Sequence, residues 1–106
     1  MPLIMIQMVC GLSEKELKIL YKISYKGRWC DKHINIEDLL SGNPKHLIGE
    51  YRKAIENLMR NKWLRSYKSQ GRNDVCIEKK RRNEVIEIFK AHEKEYDFIK
   101  NMEFIR

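Results

Sequence analysis

Between Leu47 and Glu78 the chain changes its apolar period in mid-course, and few architectures accommodate that switch. Apolar residues recur at Leu47, Tyr51, Ile55 and Leu58, spacings of four, four and three that line one stripe of an α-helix. A few residues later come Trp63-Leu64-Arg65-Ser66-Tyr67-Lys68 and Val75-Cys76-Ile77-Glu78, aromatic and β-branched runs on either side of the polar turn Gln70-Gly71-Arg72-Asn73-Asp74. That is the signature of a β-hairpin. An amphipathic helix that runs directly into a hairpin calls for a mainly α domain with a small β-hairpin set against it.

Local signals supply the remaining helices. Ser13 and Glu16 form a capping box, and Leu12 and Leu17 are spaced as the staple across it. Leu17, Leu20, Tyr21 and Ser24 share one face, Ile19 and Ile23 widen it, and Gly27 supplies the stop. A first helix is therefore expected over about residues 14–26. Arg28 to Ile34 reads as a linker or short strand. Asn35 caps a short second helix from Ile36 to about Ser41, with Asp38 at its third position. Ser41-Gly42-Asn43-Pro44 is a turn cluster, after which Asn43 is expected to cap a third helix and Pro44 to open it. That helix runs to about Asn61. Past the hairpin, Val85, Phe89, His92, Tyr96 and Ile99, flanked by Ile88 and Met102, predict one long amphipathic helix from Asn83 to about Glu103. The apolar run at residues 3–9 is expected to pack on the same core. At 106 residues the whole forms a single domain.

Charge is distributed unevenly. The chain carries 22 Lys and Arg against 15 Asp and Glu, a net +7. From Lys45 to Arg82 there are 12 basic and 4 acidic residues, so this segment alone holds +8. A surface built for solubility spreads its charge, whereas one built for an anionic partner concentrates it, and nucleic acid is the first such partner to consider.

The order helix, helix, helix, hairpin, helix, together with Ala54-Ile55-Glu56-Asn57-Leu58-Met59-Arg60-Asn61-Lys62-Trp63-Leu64, resembles the winged helix-turn-helix family over about residues 13–80. The chain departs from that family's pattern at Lys62, where glycine is frequent, and in the proline-containing stretch between Leu40 and Tyr51. The resemblance implies a core and wing over 13–82. The extra C-terminal helix over 83–104 is longer than one small core needs, so its far half is expected to pack against a second copy, as a homodimer, or against residues 3–9. The resemblance also implies a transcriptional regulator whose third helix enters the major groove of duplex DNA. The face opposite Leu47, Tyr51, Ile55 and Leu58 holds Gly49, Arg52, Lys53, Glu56 and Arg60. Arg52 is the first choice for a base edge, and Gly49 for close approach to the phosphate backbone. Lys45 and His46 stand at the helix start, where anions are favoured. Lys68 and Arg72 of the wing, with Arg65, and the block Lys79-Lys80-Arg81-Arg82 are expected on phosphates. Phe89, His92, Tyr96, Ile99 and Met102 are expected at the dimer interface, which would set two third helices about 34 Å apart. Two other readings stay open: a protein-interaction module, and an RNA-binding accessory subunit.

Other chemistries find little in the chain. It has no phosphate loop, metalloprotease helix pair or nucleophile elbow, so neither an enzyme nor a cofactor is expected. No motif for a small-molecule effector stands out. Glu37 and Asp38 are explained by a helix start. Cys30-x-x-His33 has a ligand spacing but lacks a second close pair, so no metal site is expected. Cys10, Cys30 and Cys76 are odd in number and far apart, which does not read as a disulfide framework. Trp63 and Tyr67 are expected in the core rather than stacked on bases. No signal peptide or membrane span is evident in residues 2–9, so a cytoplasmic protein is expected. The richness in Lys, Glu and Ile suits a thermophile.

Overall fold

The Ser13 hydroxyl accepts from the Glu16 amide at 3.1 Å, and the Glu16 carboxylate accepts from the Ser13 amide at 2.7 Å. With two orphan donors satisfied at its start, helix α1 runs over Glu14–Tyr25. It ends where Gly27 takes φ of 69°, with the Gly27 amide bonded to Ser24 and that of Arg28 to Ile23. This is a Schellman close, for which glycine carries no Cβ penalty. The structure, a computed structural model, describes residues 12–69 and 71–99. The apolar run at 3–9, Cys10 and Met102 lie outside the described residues.

Strand β1 (Ile34–Asn35) leads directly into helix α2 (Ile36–Leu40), whose Glu37 amide is capped by the Asn35 side chain at 3.0 Å. Asn43 does not cap the next helix as expected. Its side-chain amide donates backwards to the carbonyls of Leu39 and Leu40, at 3.3 and 3.2 Å. There it satisfies carbonyls that the end of α2 leaves without a helical partner. The following helix instead starts through a 3₁₀ turn at Lys45–Leu47, after Pro44, and continues as α3 over Ile48–Arg60.

Helix α3 closes on a second Schellman motif, with Lys62 bonded to Met59 and Trp63 to Leu58. Lys62 stands at φ of 64°, the left-handed position that glycine fills in the α1 motif. Strands β2 (Leu64–Ser69) and β3 (Arg72–Ile77) follow, paired from Leu64↔Ile77 to Ser69↔Arg72. The turn is thus shorter than the polar run suggested, and Arg72, Asn73 and Asp74 belong to β3. Strand β1 pairs with the other edge of β3, Ile34↔Val75 and Asn35↔Asp74, giving the antiparallel order β1-β3-β2. The molecule is mainly helical with one small three-stranded sheet.

Four consecutive residues of β3, Asp74 to Ile77, are buried. A strand open on one face would alternate, so both faces of this one are covered. Val75 and Ile77 join the core with Leu17, Leu20, Ile23, Ile55 and Leu58. The opposite face is covered by the α1–β1 loop, where Cys30 forms a disulfide with Cys76. Sheet topology rather than sequence spacing creates that pair, which is why three scattered cysteines concealed it. The same bond withdraws Cys30 from any role as a metal ligand.

The last helix, α4, spans only Arg82–His92. It does not continue to residue 103. The His92 carbonyl accepts from both Glu95 and Tyr96, and the chain turns back. Phe98 meets Tyr21 edge-on at 6.0 Å, and Ile99 re-enters the core. The spacing of Phe89, His92, Tyr96 and Ile99 is thus met by a helix plus a turn that closes one small core. Phe89, His92 and Ile99 are buried in their own chain and Tyr96 is half-buried.

Two predictions follow from these closures. Lys62→Gly should raise unfolding free energy by about 1 kcal/mol in urea, because a left-handed non-glycine residue carries strain. Removing the disulfide as Cys30→Ala with Cys76→Ala should lower it by about 4 kcal/mol, the chain-entropy value for a loop of this length. An unchanged midpoint in either titration would contradict the corresponding account.

Candidate nucleic-acid interface

The core stripe of α3 is Tyr51, Ala54, Ile55 and Leu58. The residues facing away are Gly49, Arg52, Lys53, Glu56 and Arg60, all exposed, as helical geometry requires once the apolar stripe is fixed. With 13 residues, α3 is about 20 Å long. Its first turn is steadied by Lys15 of α1, whose ammonium lies 3.8 Å from the Glu50 carboxylate. Gly49 has an ordinary helical φ, and a Cβ there would meet nothing within 4 Å. Nothing within the described residues demands glycine at this position, yet glycine costs a helix about 1 kcal/mol relative to alanine.

Beside this face lies a groove of about 270 Å³ between α3 and the hairpin. Ile36, Ile55 and Met59 supply its apolar part, while Arg52, Ser66, Lys68 and Asn73 are among its polar linings. Lys68 sits opposite Asn73 in the strand register. Lys45 and His46 are exposed in the 3₁₀ turn that precedes α3.

The cations expected on phosphates divide into two groups. Lys45, Lys53, Arg60 and Lys68 are exposed and have no ion pair among the described residues. Others are held within the chain. The Arg52 guanidinium lies 3.2 Å from Glu37 of α2, rather than pairing along its own helix with Glu56. Both partners are well exposed, so this pair is worth under about 1 kcal/mol and yields readily to a stronger anion. Arg72 is bonded to the buried Asp74 at 2.9 Å and lies within β3 rather than at the hairpin tip. Arg65 is bonded to Glu78 at 2.7 Å, and a hydrogen bond to the Tyr67 hydroxyl, with Glu78 beside it, favours its charged form further.

The block at 79–82 is largely structural. Lys79 pairs with Asp31 at 3.2 Å, which ties the start of a 3₁₀ turn to the α1–β1 loop. The Arg81 guanidinium stacks 3.4 Å above the Trp63 ring, donates to the Asn61 carbonyl at 3.0 Å and pairs with Glu84. Arg82 lies over Trp29 at 5.3 Å. Only Lys80 is exposed without an ion pair among the described residues. Apart from Glu84, these partners lie far away in sequence, which explains why a charge run looked free. Trp63 is buried, as expected, and Tyr67 is half-buried against His33, their rings stacked 4.0 Å apart.

The chain matches no known protein family, no curated protein and no solved structure. No helix among the described residues is long and apolar enough to cross a membrane.

The division of cations is testable without any ligand. Arg81→Ala should lower stability by about 1–2 kcal/mol through loss of the ring contact and hydrogen bonds. Lys80→Ala should leave the unfolding midpoint unchanged. Equal effects would contradict the distinction.

Proposed function

We propose that this chain is a winged helix-turn-helix protein that binds duplex DNA, with α3 in the major groove and the β2–β3 hairpin as the wing. The carrying observation is the outward face of α3, which bears Lys53 and Arg60 and an unconstrained glycine. It stands beside a groove whose far wall holds Lys68. The element order α1, β1, α2, α3, β2, β3, with β1 paired to the hairpin, also supports the reading.

A major groove about 12 Å wide admits one helix with its side chains. Lys45, Lys53, Arg60 and Lys68 act on phosphates, which set affinity and register but not sequence. Arg52 exchanges Glu37 for a guanine edge, and Glu56 is placed to accept from a cytosine amino group. Gly49 lets the start of α3 approach the backbone more closely than any side chain permits. No catalytic step is assigned to this surface.

Gly49→Ala provides the most direct test, because stability and binding should move in opposite directions. Helix propensity predicts a gain of up to about 1 kcal/mol in unfolding free energy. Duplex affinity, measured by fluorescence anisotropy, should fall. The pair Lys53→Ala with Arg60→Ala should weaken all duplexes alike and reduce the salt slope of log K by about 2. Absence of duplex binding by the parent chain at low salt, or binding that ignores salt, would overturn the proposal.

A further inference from the structure

Successive residues of a strand face opposite sides of its sheet, and Asn73 and Arg72 line two different concavities. Asn73 faces the α3 groove. Arg72 lines an open cleft of about 400 Å³ on the reverse side, together with Lys22 of α1, Lys26 at its C-cap, Arg28 and His33 of the following loop, and Asp38 of α2. Four permanent cations thus surround one lining carboxylate. A solvated surface seldom gathers like charges from three separate elements, since each raises the cost of the next.

The groups in the cleft are not equivalent. Lys22 donates to the carbonyls of Asp38, Leu39 and Ser41 at 3.2–3.3 Å, closing the end of α2. It contributes charge while its donors are committed. Burial pushes its ammonium below the usual lysine range, nearby Lys26 adds to that, and Asp38 opposes it. Lys26 is exposed and has no ion pair among the described residues. Arg28 is fixed through one terminal nitrogen to the Lys26 carbonyl at 3.1 Å, while its buried Nε has no hydrogen-bond partner. Arg72 has one terminal nitrogen on Asp74. His33 stacks flat on Tyr67. The Cys30–Cys76 bond joins the loop bearing Arg28 and His33 to the strand bearing Arg72, so the walls are positioned before any ligand arrives.

We infer that this cleft is a binding site for a phosphate-bearing small molecule, held by Lys26, Arg28 and Arg72. Phosphate brings up to two negative charges and several acceptor oxygens, and a guanidinium fork matches its geometry better than an ammonium does. With Asp38 beside the cleft and Asp74 on Arg72, the four cations leave about two positive charges, which a phosphate dianion matches and a simple carboxylate only halves. The sequence offered no effector motif because these residues come from α1, its following loop, α2 and the distant β3. The site rests on the lining of this cleft and does not depend on the reading of α3.

The test uses the whole oxidised chain with sodium pyrophosphate as probe. Isothermal titration calorimetry should show one site per chain, and the thermal midpoint should rise above that in sodium chloride of equal ionic strength. Lys26→Ala with Arg72→Gln should weaken pyrophosphate binding at least tenfold. Lys26→Ala alone, at an exposed position that leaves the fold intact, should weaken it severalfold. Lys53→Ala with Arg60→Ala should leave it unchanged while weakening duplex binding. A response to pyrophosphate no greater than to chloride, or unaltered binding by both cleft variants, would overturn the inference. It would equally fall if the cleft variants lost duplex affinity as fully as the α3 variant, since the cleft would then seat a nucleic-acid backbone.

Discussion

Strand β3 is the constraint on which the rest of the molecule depends. It accepts hydrogen-bonding partners on both edges, β1 on one side and β2 on the other. It is also covered on both faces, by the helical core through Val75 and Ile77 and by the disulfide loop through Cys76. Such a strand has no freedom to slip, because a shift of one residue would drive Asp74 and Cys76 into the helices and turn Val75 out of the core. The rigid register carries through the hairpin to Lys68 and Asn73. Their position relative to α3 is therefore set by the core rather than by a flexible turn.

Covering both faces also explains why one small sheet borders two surfaces of different character. A hairpin with one bare face would present a single polar side. Here the loop from Arg28 to His33 is laid across the reverse side, and the Ile77 amide bonds to the Arg28 carbonyl at 3.0 Å. That loop delivers Arg28 and His33 to the place where α1 ends and β3 begins. The cysteine bond thus contributes twice, by limiting the unfolded chain and by fixing two walls of a charged cleft.

Features governed by neighbours within four residues were legible in the sequence. The Ser13–Glu16 box, Gly27, the Asn35 cap and Tyr51, Ile55 and Leu58 of α3 are of this kind, and the structure has them where they were read, while Leu47 falls in the 3₁₀ turn before the helix. Asn43 shows the limit of local reading, since it has a choice of two helix ends and the structure uses the earlier one. His92 shows another, because a turn can preserve the apolar spacing that a helix would give. What tertiary contact decides was not legible: the Cys30–Cys76 bond, the Lys79–Asp31 pair and the Arg81–Trp63 stack span 46, 48 and 18 residues.

The same distinction governs the candidate interface. A local excess of charge located the region, but only partners across the fold reveal which cations are available. Arg81 and Arg82 pack on tryptophan rings, whereas Lys53, Arg60 and Lys68 are exposed without an ion pair among the described residues. The +8 between residues 45 and 82 is therefore an upper bound on binding charge. A cation stacked on an aromatic ring still contributes to the long-range field, because a ring does not neutralise it; this holds for Arg82 on Trp29, whereas Arg81 is also paired with Glu84. Arrival and retention then rest on different residues. On the proposed reading, the whole segment steers, and the smaller set on α3 and the hairpin holds.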